Sequence, residues 1–533
     1  MGGEGEVSDM PDRRVAIIGA GIGGLAAAAV LSARGMAVEV IERADRPGGK
    51  MGIFRPAEGS AIDAGPTVLT LRPVFETIFA AAGGRLADHI RLHPLTILAR
   101  HAWPDGSRLD LLADPGDTAR AIADFAGLSE AQGFERFRAD AARIYRTLEA
   151  PFLHAERPSL VRLLRAAGPG GLGALARIRP FATLWAALGD YFRDPRLRQL
   201  FARYATYSGA SPFAAPATLM LIAHVEQAGL WSVEGGMHRL ARALEALARA
   251  NGAHFRYGAE VAEIRVRRGR ACGVALATGE RLDTDAVLAN ADCAALRRGL
   301  LGHRVRRAVP RSVTATRSLS AVVWTGYGRL KGLDPVRHMV AFSPDYRAEF
   351  GDIAAACCPL QPTVYICAQD RDGGEPVPGA GEDERLLCLV NARADGNENG
   401  VAVEEKARWQ RAMEDSLAAC GMGIRLDPER MTMRMPADFA RIFPGRGGAL
   451  YGSAMAGWRA AFQRPGIKSR IPGLYLAGGS VHPGPGVPMV ALSGWMAAER
   501  LLADLASTAR SRRAATPGGI STASVTTAAM RSR

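Results

Sequence analysis

The 533-residue sequence is poor in lysine and has no long apolar run. Its only lysines are Lys50, Lys331, Lys406 and Lys468, so the formal net charge of +14 comes almost wholly from arginine. No run approaches the roughly 18 apolar residues of a membrane-spanning helix, which argues against a transmembrane segment. Residues 1–12 are rich in glycine and acids without an apolar core, and we therefore expect no signal peptide.

Paired cysteines and metal-ligand spacings are also missing. An odd count of seven cysteines in a long chain favours free thiols in a reducing cytosol and no metal site. The positive charge has no recognised nucleic-acid motif beside it, so we expect no nucleic-acid partner and consider an anionic membrane surface the better match. The seven cysteines are Cys272, Cys293, Cys357, Cys358, Cys367, Cys388 and Cys420.

The strongest motif lies in residues 13–50, RRVAIIGAGIGGLAAAAVLSARGMAVEVIERADRPGGK. A short apolar strand leads through Gly19, Gly21 and Gly24 into an alanine-rich helix, and a second strand ends at Glu42. This is the dinucleotide-binding βαβ pattern in its required context. The glycines permit a tight turn, close approach of a diphosphate to the backbone, and close packing of helix and strand. The diphosphate would bind at the helix N-terminus.

The residues after the second strand distinguish between dinucleotides. Glu42 lies 18 residues after Gly24, where a carboxylate accepts hydrogen bonds from a ribose diol and disfavours a 2′-phosphate, so NADP is not expected. Arg43 to Lys50 continue as RADRPGGK, and Gly48 and Gly49 form a second glycine-rich turn. That continuation favours FAD over NAD.

Two later segments could complete a flavin site. In the Asp63-Ala64-Gly65-Pro66-Thr67 loop, Gly65 allows close backbone approach and Pro66 stiffens the chain; the alternative is a plain turn. Residues 471–502 predict a buried strand, a Gly/Pro-rich loop from Gly478, and a helix that begins near Pro488. Such a helix would direct its positive end at the flavin pyrimidine ring and favour the reduced, anionic form.

The rest of the sequence predicts a larger region that contains both helices and strands. Residues 72–83 predict a helix, residues 95–112 a hairpin, residues 115–228 mainly helices, and residues 300–465 a sheet-based region. We expect an FAD-binding domain of residues 13–100, 229–300 and 466–506, a substrate and membrane-associating domain of residues 101–228 and 301–465, and disordered tails at 1–12 and 507–533. Val261 would offer backbone to the adenine.

One stretch of the predicted helical region is basic and apolar together. Residues 157–189 hold five arginines and no acidic residue, with leucines, Phe181 and Trp185 between them. Such a stretch can lie in a membrane interface, and the alternative is ordinary helices with solvated arginines. The arginines are Arg157, Arg162, Arg165, Arg177 and Arg179.

Two histidines were considered for chemistry. His482 lies in the C-terminal Gly/Pro-rich loop and is the candidate catalytic residue, with a hydrogen bond to the loop backbone as the equal alternative. His338 lies near a predicted strand and is expected to be structural.

Together these segments resemble the bacterial phytoene-type carotenoid desaturases, FAD-dependent relatives of the amine oxidases. The resemblance covers residues 13–504 and rests on the N-terminal motif, the Asp63–Thr67 loop and residues 478–490. Gly479 stands where many flavoproteins of this fold carry an acid, which argues against a general amine oxidase. Thr70-Leu71-Arg72, residues 103–106, residues 203–207 and residues 233–237 look like the 1-hydroxycarotenoid 3,4-desaturases (methoxyneurosporene dehydrogenases) of photosynthetic bacteria.

The resemblance implies an α/β fold: a Rossmann-like FAD-binding domain with an inserted mixed α+β substrate domain, in amine-oxidase-like architecture. It implies removal of two hydrogens from an acyclic 1-hydroxy or methoxy carotenoid such as hydroxyneurosporene, by hydride transfer to flavin and loss of a proton from the allylic cation. The flavin would be reoxidised by oxygen or a quinone. The protein would attach peripherally to the cytoplasmic side of the inner membrane; nothing in the sequence specifies an oligomeric state.

Three alternatives stay open: a phytoene desaturase, a flavin oxidase of polar amines, and a non-catalytic lipid-binding escort, because the Rab GDP-dissociation inhibitors share this fold. The intact glycine and Glu42 pattern weighs against the escort. The residues predicted to bind FAD are Gly19, Ala20, Gly21, Gly24, Glu42, Arg43, Gly49, Lys50, Gly65, Pro66, Thr67, Val261, Gly478, Gly479, Val487, Pro488 and Met489.

Overall fold

A computed structural model of the chain describes residues 13–167, 173, 178–372, 375–376, 382–396 and 403–514. The strands of this part are, in chain order, β1 Arg14–Ile18, β2 Ala37–Ile41, β3 Ile53–Phe54, β4 Ile62–Asp63, β5 Leu92–Pro94, β6 Ile97–Ala102, β7 Arg108–Leu112, β8 Trp231–Val233, β9 His254–Arg256, β10 Val261–Arg267, β11 Arg270–Leu276, β12 Arg281–Asp283, β13 Ala286–Ala289, β14 Ser320–Gly332, β15 His338–Ala341, β16 Val364–Ala368, β17 Arg371–Asp372, β18 Glu375–Pro376, β19 Glu384–Ala392, β20 Met422–Arg434 and β21 Leu474–Leu476.

The helices surround these strands. The α-helices are α1 Ile22–Ala33, α2 Arg72–Ala81, α3 Pro115–Ala126, α4 Leu128–Leu148, α5 Leu160–Ala167, α6 Leu184–Leu188, α7 Pro195–Ala202, α8 Leu221–Gln227, α9 His238–Ala250, α10 Cys293–Arg298, α11 Tyr346–Ala354, α12 Val403–Ala419, α13 Pro436–Ile442 and α14 Val487–Ala514. Short 3-10 turns lie at Leu86–Asp88, Arg203–Ser208, Ala217–Met220, His303–Arg307, Arg311–Thr314 and Ala460–Gln463, and a π turn at Glu149–Leu153.

Five parallel strands form the sheet of the nucleotide-binding part, in the order β21-β13-β1-β2-β9. Strand β1 lies at the centre, where Val15, Ala16 and Ile17 are fully buried. Parallel neighbours need crossover connections, so strands from distant parts of the chain lie side by side. The sheet confirms the predicted α/β class and the return of the chain to this sheet after residue 229.

Helix α1 lies buried against this sheet because its residues are small or apolar on every side. Its residues from Ile22 to Ser32 are all buried, and it packs against α9 and α14. A Cβ at Gly494 of α14 would lie 2.0 Å from the carbonyl oxygen of Gly23. Only glycine permits so close a contact between the two helices, and this contact holds the start of α14 beside the start of α1.

The second sheet has seven strands in the order β20-β14-β19-β16-β15-β6-β7, all antiparallel neighbours except β15 and β6. Strand β14 is 13 residues long, and β20 pairs along it as far as Gly332. Sequence analysis did not predict β20. Its register shifts where Asp427 and Pro428 interrupt it, and proline is typical of such irregularities, not of a regular strand.

The division of the chain into two domains at the predicted boundaries stays a prediction. The predicted boundary between residues 100 and 101 falls inside strand β6. The whole strand belongs to the seven-stranded sheet, where it pairs with β7 and β15. Val305 and Val313, placed in the second domain, pack into the core of the first. Apolar periodicity identifies elements but does not say which core they join.

The predicted C-terminal tail begins too early. Helix α14 continues to Ala514, eight residues past the boundary at 506. Extending an existing helix costs far less than starting one, so the polar composition of residues 507–514 does not end it. Residues 1–12 and 515–533, both predicted to be disordered, lie outside the described residues.

Candidate active site

A cavity of about 1610 Å³ is lined by residues from both sheets, from the starts of α1 and α14, and from helices α4, α5 and α8. We call its wall around α1, Glu42 and the start of α14 the nucleotide end. We call the wall formed by residues 145–164, 216–230 and 455–462 the apolar half. The two share one space, so a ligand at one can touch a ligand at the other.

At the nucleotide end, backbone and the Asn290 side chain pack tightly around the glycines of the turn before α1. Gly19 has φ +94°, and a Cβ at Gly24 would lie 2.1 Å from the Gly19 carbonyl oxygen. A Cβ at Gly21 would lie 2.8 Å from the side-chain amide nitrogen (Nδ2) of Asn290. The first turn of α1 has neither an acidic residue nor a side-chain cap, so its free N–H groups and positive dipole end suit a diphosphate.

Glu42 occupies the position predicted for a ribose contact. Its carboxylate accepts hydrogen bonds from the backbone N–H of Ala20 at 2.7 Å and of Ala44 at 2.8 Å. The side chain is half-buried in the cavity wall, and each oxygen keeps a lone pair for a diol. Two predicted residues, Ala20 and Gly24, do not line the cavity; they fix its wall through these backbone contacts.

The second wall is the C-terminal loop and the start of α14. Val487, Pro488 and Met489 line the cavity, and the first turn of this helix also has no acidic residue. A Cβ at Gly479 would meet no atom closer than 3.7 Å, so an acidic side chain would fit there sterically. Glycine instead exposes backbone to the cavity. Two helix N-termini without acidic residues in their first turns therefore face the same cavity, which favours a ligand with more than one electron-rich region.

The loop after β4 is fixed by buried hydrogen bonds. The Asp63 carboxylate accepts from the N–H of Met237 at 2.6 Å and of His238 at 3.2 Å, and Gln369 bonds both backbone groups of Asp63 at 2.9 Å. Burial raises the pKa of Asp63. A Cβ at Gly65 would lie 2.0 Å from the Lys50 carbonyl oxygen, so the loop packs directly on the glycine-rich turn.

Positive charge surrounds this end. Lys50 donates to the Leu450 carbonyl at 2.5 Å and its side chain is exposed to the cavity; the protein that encloses the cavity desolvates the ammonium and lowers its pKa to about 8. Among the described residues, Arg464 donates only to backbone carbonyls, including Gly479 at 2.8 Å, and burial lowers its pKa to about 10. Sequence analysis missed Arg464, since no local motif marks it.

These residues fit an FAD molecule. Fifteen of the 17 predicted contacts line the one cavity, and the glycines leave bare backbone where a dinucleotide must approach closely. The arginines and Lys50 supply charge for a diphosphate. The binding role of each residue stays a prediction. Arg43, also predicted, lines the cavity and donates to the Ile442 carbonyl at 2.5 Å.

The apolar half continues from this end to the surface. Its wall includes Leu148, Phe152, Leu163 and Ile222, and it opens beside α5. At this opening Leu160, Leu164 and Phe181 line the cavity while they remain 43%, 46% and 77% exposed. A long apolar ligand could thus enter here and reach the nucleotide end.

Within the apolar half lies a polar patch. Arg203, Tyr207 and Glu226 line the cavity, and Tyr365 joins them to the predicted cofactor loop through a hydrogen bond of 2.7 Å with Thr67. Residues 203–207 were noted only for their resemblance to a subfamily, and Glu226 was not noted at all. No pattern within the sequence places α8 against that turn.

The two histidines have different positions. His482 is fully buried and does not line the cavity; its Nε2 donates to the Phe152 carbonyl at 2.7 Å, and burial lowers its pKa to about 4. His482 is thus held away from the cavity wall by backbone outside its own loop, and its catalytic role stays a prediction. His338 lines the cavity with its Nδ1 2.8 Å from the Tyr365 hydroxyl, and burial lowers its pKa well below the ordinary value.

Comparisons with known proteins agree with this geometry. Residues 22–329 match the family model described as flavin containing amine oxidoreductase. Hydroxyneurosporene desaturase of Rubrivivax gelatinosus is 51% identical over 97% of this chain and 98% of its own length. The protein of the same name from Cereibacter sphaeroides is 44% identical over 93% and 99%.

Among solved structures, putrescine oxidase bound to putrescine aligns with a TM-score of 0.58 over 94% of this chain and all of that chain. At 16% sequence identity this likeness concerns the fold alone. It matches the predicted architecture of a nucleotide-binding sheet with a second, sheet-based region.

Proposed function

The chain belongs to the family of flavin-containing amine oxidoreductases, and from that premise we propose that it desaturates acyclic 1-hydroxy or methoxy carotenoids at the 3,4 position. It is an FAD-dependent oxidoreductase that acts on carbon–carbon bonds. The similarity to hydroxyneurosporene desaturases over nearly the whole chain supports the substrate class, as does the organisation of the cavity. We place the protein in the carotenoid biosynthesis of a photosynthetic bacterium.

The observation that carries the proposal is the continuity of the cavity. An apolar passage from the exposed Leu160 and Phe181 to the start of α14 suits a long polyene better than a small polar amine. Desaturation of a polyene needs positioning and exclusion of water more than an acid and a base, because the conjugated chain itself disperses developing charge. A continuous apolar wall provides both.

The chain's own residues would hold the cofactor at the nucleotide end. Glu42 would bind the ribose, the N–H groups at the start of α1 the diphosphate, and the start of α14 the pyrimidine ring. Bound FAD would accept a hydride, and with it the two electrons of the reaction, while the second hydrogen would leave the substrate as a proton. Arg464 and the dipole of α14 place positive potential on that side and so favour added negative charge.

The opening of the cavity suggests where the substrate comes from. Exposed Leu160, Val161 and Leu164 lie on α5, where Arg162 and Arg165 are also exposed. Basic and apolar side chains together favour an anionic membrane surface, into which the apolar side chains would dip. In the described part of the chain, no helix has the length and apolarity to cross a membrane. Arg177, predicted for the same surface, lies outside the described residues.

We infer peripheral attachment at this opening, on the cytoplasmic side of the inner membrane, so that the carotenoid passes directly from the bilayer into the cavity. The same position would give access to a membrane quinone; oxygen is the alternative electron acceptor. Anionic vesicles should retain the protein, and high salt should release part of it because the arginine contribution is screened.

The function is tested by product analysis. Purified protein reconstituted with FAD and given 1-hydroxyneurosporene in liposomes should yield a product with red-shifted absorbance and one more double bond at the 3,4 position. Activity on phytoene with no change in the hydroxylated substrate would contradict the substrate assignment. Release of hydrogen peroxide on addition of amines would instead support an amine oxidase. A protein without flavin absorbance after reconstitution would support an escort protein.

A further inference from the structure

A connected group of ionic and phenolic side chains lies in the wall of the otherwise apolar half. Arg203 donates to the Tyr207 hydroxyl at 2.8 Å, and Tyr207 donates to Glu226 at 2.9 Å. The other carboxylate oxygen of Glu226 accepts from Tyr204 at 2.5 Å. Arg203, Tyr207 and Glu226 line the cavity, whereas Tyr204 lies behind them and does not.

The guanidinium of Arg203 has unused donors that face the cavity. Within the described residues it makes one hydrogen bond and no ion pair, and none of its other nitrogens is sealed away from the cavity. Its carbon lies 5.1 Å from the centre of the Tyr207 ring and 5.6 Å from that of the Tyr365 ring. The two rings hold a planar donor in one orientation.

Placing these polar side chains against an apolar ligand costs free energy, unless the ligand also carries a group that hydrogen-bonds them. Ions and phenols lose hydration when an apolar molecule fills the space beside them, and each polar group left unpaired then weakens binding. A hydrocarbon end group would impose that cost. An end group with a hydroxyl would avoid it, because its oxygen can accept from Arg203 while its hydrogen is donated to Glu226 or Tyr207.

We propose that Arg203, Tyr207 and Glu226 bind the tertiary hydroxyl group of the substrate and thereby select hydroxylated carotenoids and set which bond reacts. This inference rests on the proposed function. In a 1-hydroxycarotenoid the carbon that bears the hydroxyl lies two bonds from C3. A fixed hydroxyl therefore fixes the position of the 3,4 bond along the cavity.

The position of the group agrees with that role. Tyr365 contacts Arg203 on one side and hydrogen-bonds Thr67 on the other, so a single aromatic ring separates the group from the loop predicted to lie beside the cofactor. A hydroxyl held at Arg203 leaves the neighbouring carbons close to that loop. The rest of the polyene would extend along Phe152 and Ile222 toward the opening.

The same chemistry ranks three end groups. A hydroxyl can both donate and accept, a methoxy group can only accept, and an unsubstituted end can do neither. We expect kcat/KM of the wild-type protein to fall in that order. Hydrogen bonds to charged groups are worth enough to give roughly a 10- to 100-fold preference for the hydroxylated substrate over its hydrocarbon counterpart.

The experiment measures kcat/KM for the 1-hydroxy, 1-methoxy and unsubstituted forms of one acyclic carotenoid in liposomes, with FAD-loaded full-length protein. Tyr207→Phe removes a single oxygen atom and Glu226→Gln removes the charge. Each should reduce the hydroxyl preference about tenfold or more. Tyr204→Phe is the matched control: it also breaks a bond to Glu226 but lies behind the wall, so the preference should stay within about twofold of wild type.

Flavin absorbance and the melting temperature establish that each variant is loaded and folded, and the wild-type ratio tests the inference even if a variant fails to fold. Equal conversion of all three substrates by wild-type protein overturns it, as does a hydroxyl preference that persists in Tyr207→Phe and Glu226→Gln. Conversion of no carotenoid contradicts the proposed function itself, and the inference with it.

Discussion

The nucleotide end and the apolar half of the cavity are built by different means. At the nucleotide end, backbone defines much of the wall, and two neighbouring stretches, residues 18–22 and 41–55, supply a large part of it. In the apolar half, side chains define the wall, and they come from α4, α5, α8 and the turn at residues 460–463. The cofactor, which many enzymes share, binds at a motif that is local in the sequence. The substrate, which few enzymes share, would bind among side chains that are distant in the sequence.

The largest effect should follow a single added methyl group at the nucleotide end. Gly24→Ala would place a Cβ about 2.1 Å from the Gly19 carbonyl oxygen, so the turn and the helix must separate. We expect loss of retained FAD and a reduction of about 1–3 kcal/mol in the free energy of unfolding. Flavin absorbance after gel filtration and a denaturant titration measure both.

The matched control is Gly351→Ala in α11, where a Cβ would meet nothing within 4 Å. It should keep its FAD and gain up to about 1 kcal/mol of stability, as alanine does in a helix. Equal FAD retention in both variants would show that backbone shape does not define the nucleotide end.

The next effect concerns the one side chain on which the nucleotide end depends. Glu42→Ala removes the acceptor for the N–H groups of Ala20 and Ala44 and for the predicted ribose diol. FAD affinity should weaken by about 1–3 kcal/mol, the cost of unpaired polar groups, as measured by fluorescence quenching on titration. Glu42→Gln should lose less. Unchanged affinity in Glu42→Ala would mean that this carboxylate does not hold the ribose.

In the apolar half, one exposed ring at the opening should matter for membrane binding and not for FAD. Phe181 is 77% exposed and contacts Trp458 with ring centres 5.5 Å apart. Phe181→Asp should reduce binding to anionic liposomes about tenfold in a sedimentation assay, through lost apolar burial and added repulsion. Leu360→Asp, at another site that is 86% exposed, is the control. If both variants lost liposome binding equally, the cavity opening would have no special role in membrane binding.

The smallest effect is a pH dependence of FAD affinity. Burial lowers the pKa of Lys50 to about 8, so in the protein without FAD this ammonium loses its proton as the pH rises through 8. Its charge then no longer favours a diphosphate, and the dissociation constant should increase several-fold between pH 7 and 9, by at most about tenfold per pH unit. Lys50→Met should flatten this rise. A rise of the same size in that variant would assign it to another group.

The same contrast explains how far the sequence could be interpreted. Gly19, Gly21, Gly24 and Glu42 could be predicted because strand, turn and helix adjoin in the chain, and the glycines constrain the backbone directly. The proximity of Arg203 and Glu226 could not be predicted, because Tyr204 and Tyr207 of the turn at residues 203–208 bond Glu226 of α8, and that contact depends on the packing of the whole core. The orientation of His482 could not be predicted either, because a histidine in a functional loop can bond backbone outside that loop, as its hydrogen bond to Phe152 shows.

Two errors of extent have similar causes. Strand β20 was missed since Pro428 and alternating charges hide it, and only its long pairing with β14 makes it a strand. Helix α14 extends beyond its predicted end because adding residues to an existing helix is easy, even where the composition is polar. Both outcomes depend on neighbours already formed, which a local pattern does not contain.

The central claim is that one cavity joins the bound cofactor to the carotenoid. It is tested most directly by a single turnover without oxygen or quinone, in which FAD-loaded protein is mixed with 1-hydroxyneurosporene in liposomes. Loss of the absorbance of oxidised flavin should match, mole for mole and in time, the appearance of the red-shifted 3,4-desaturated product. Product formed while the flavin absorbance stays constant, or flavin bleaching without product, would contradict the claim.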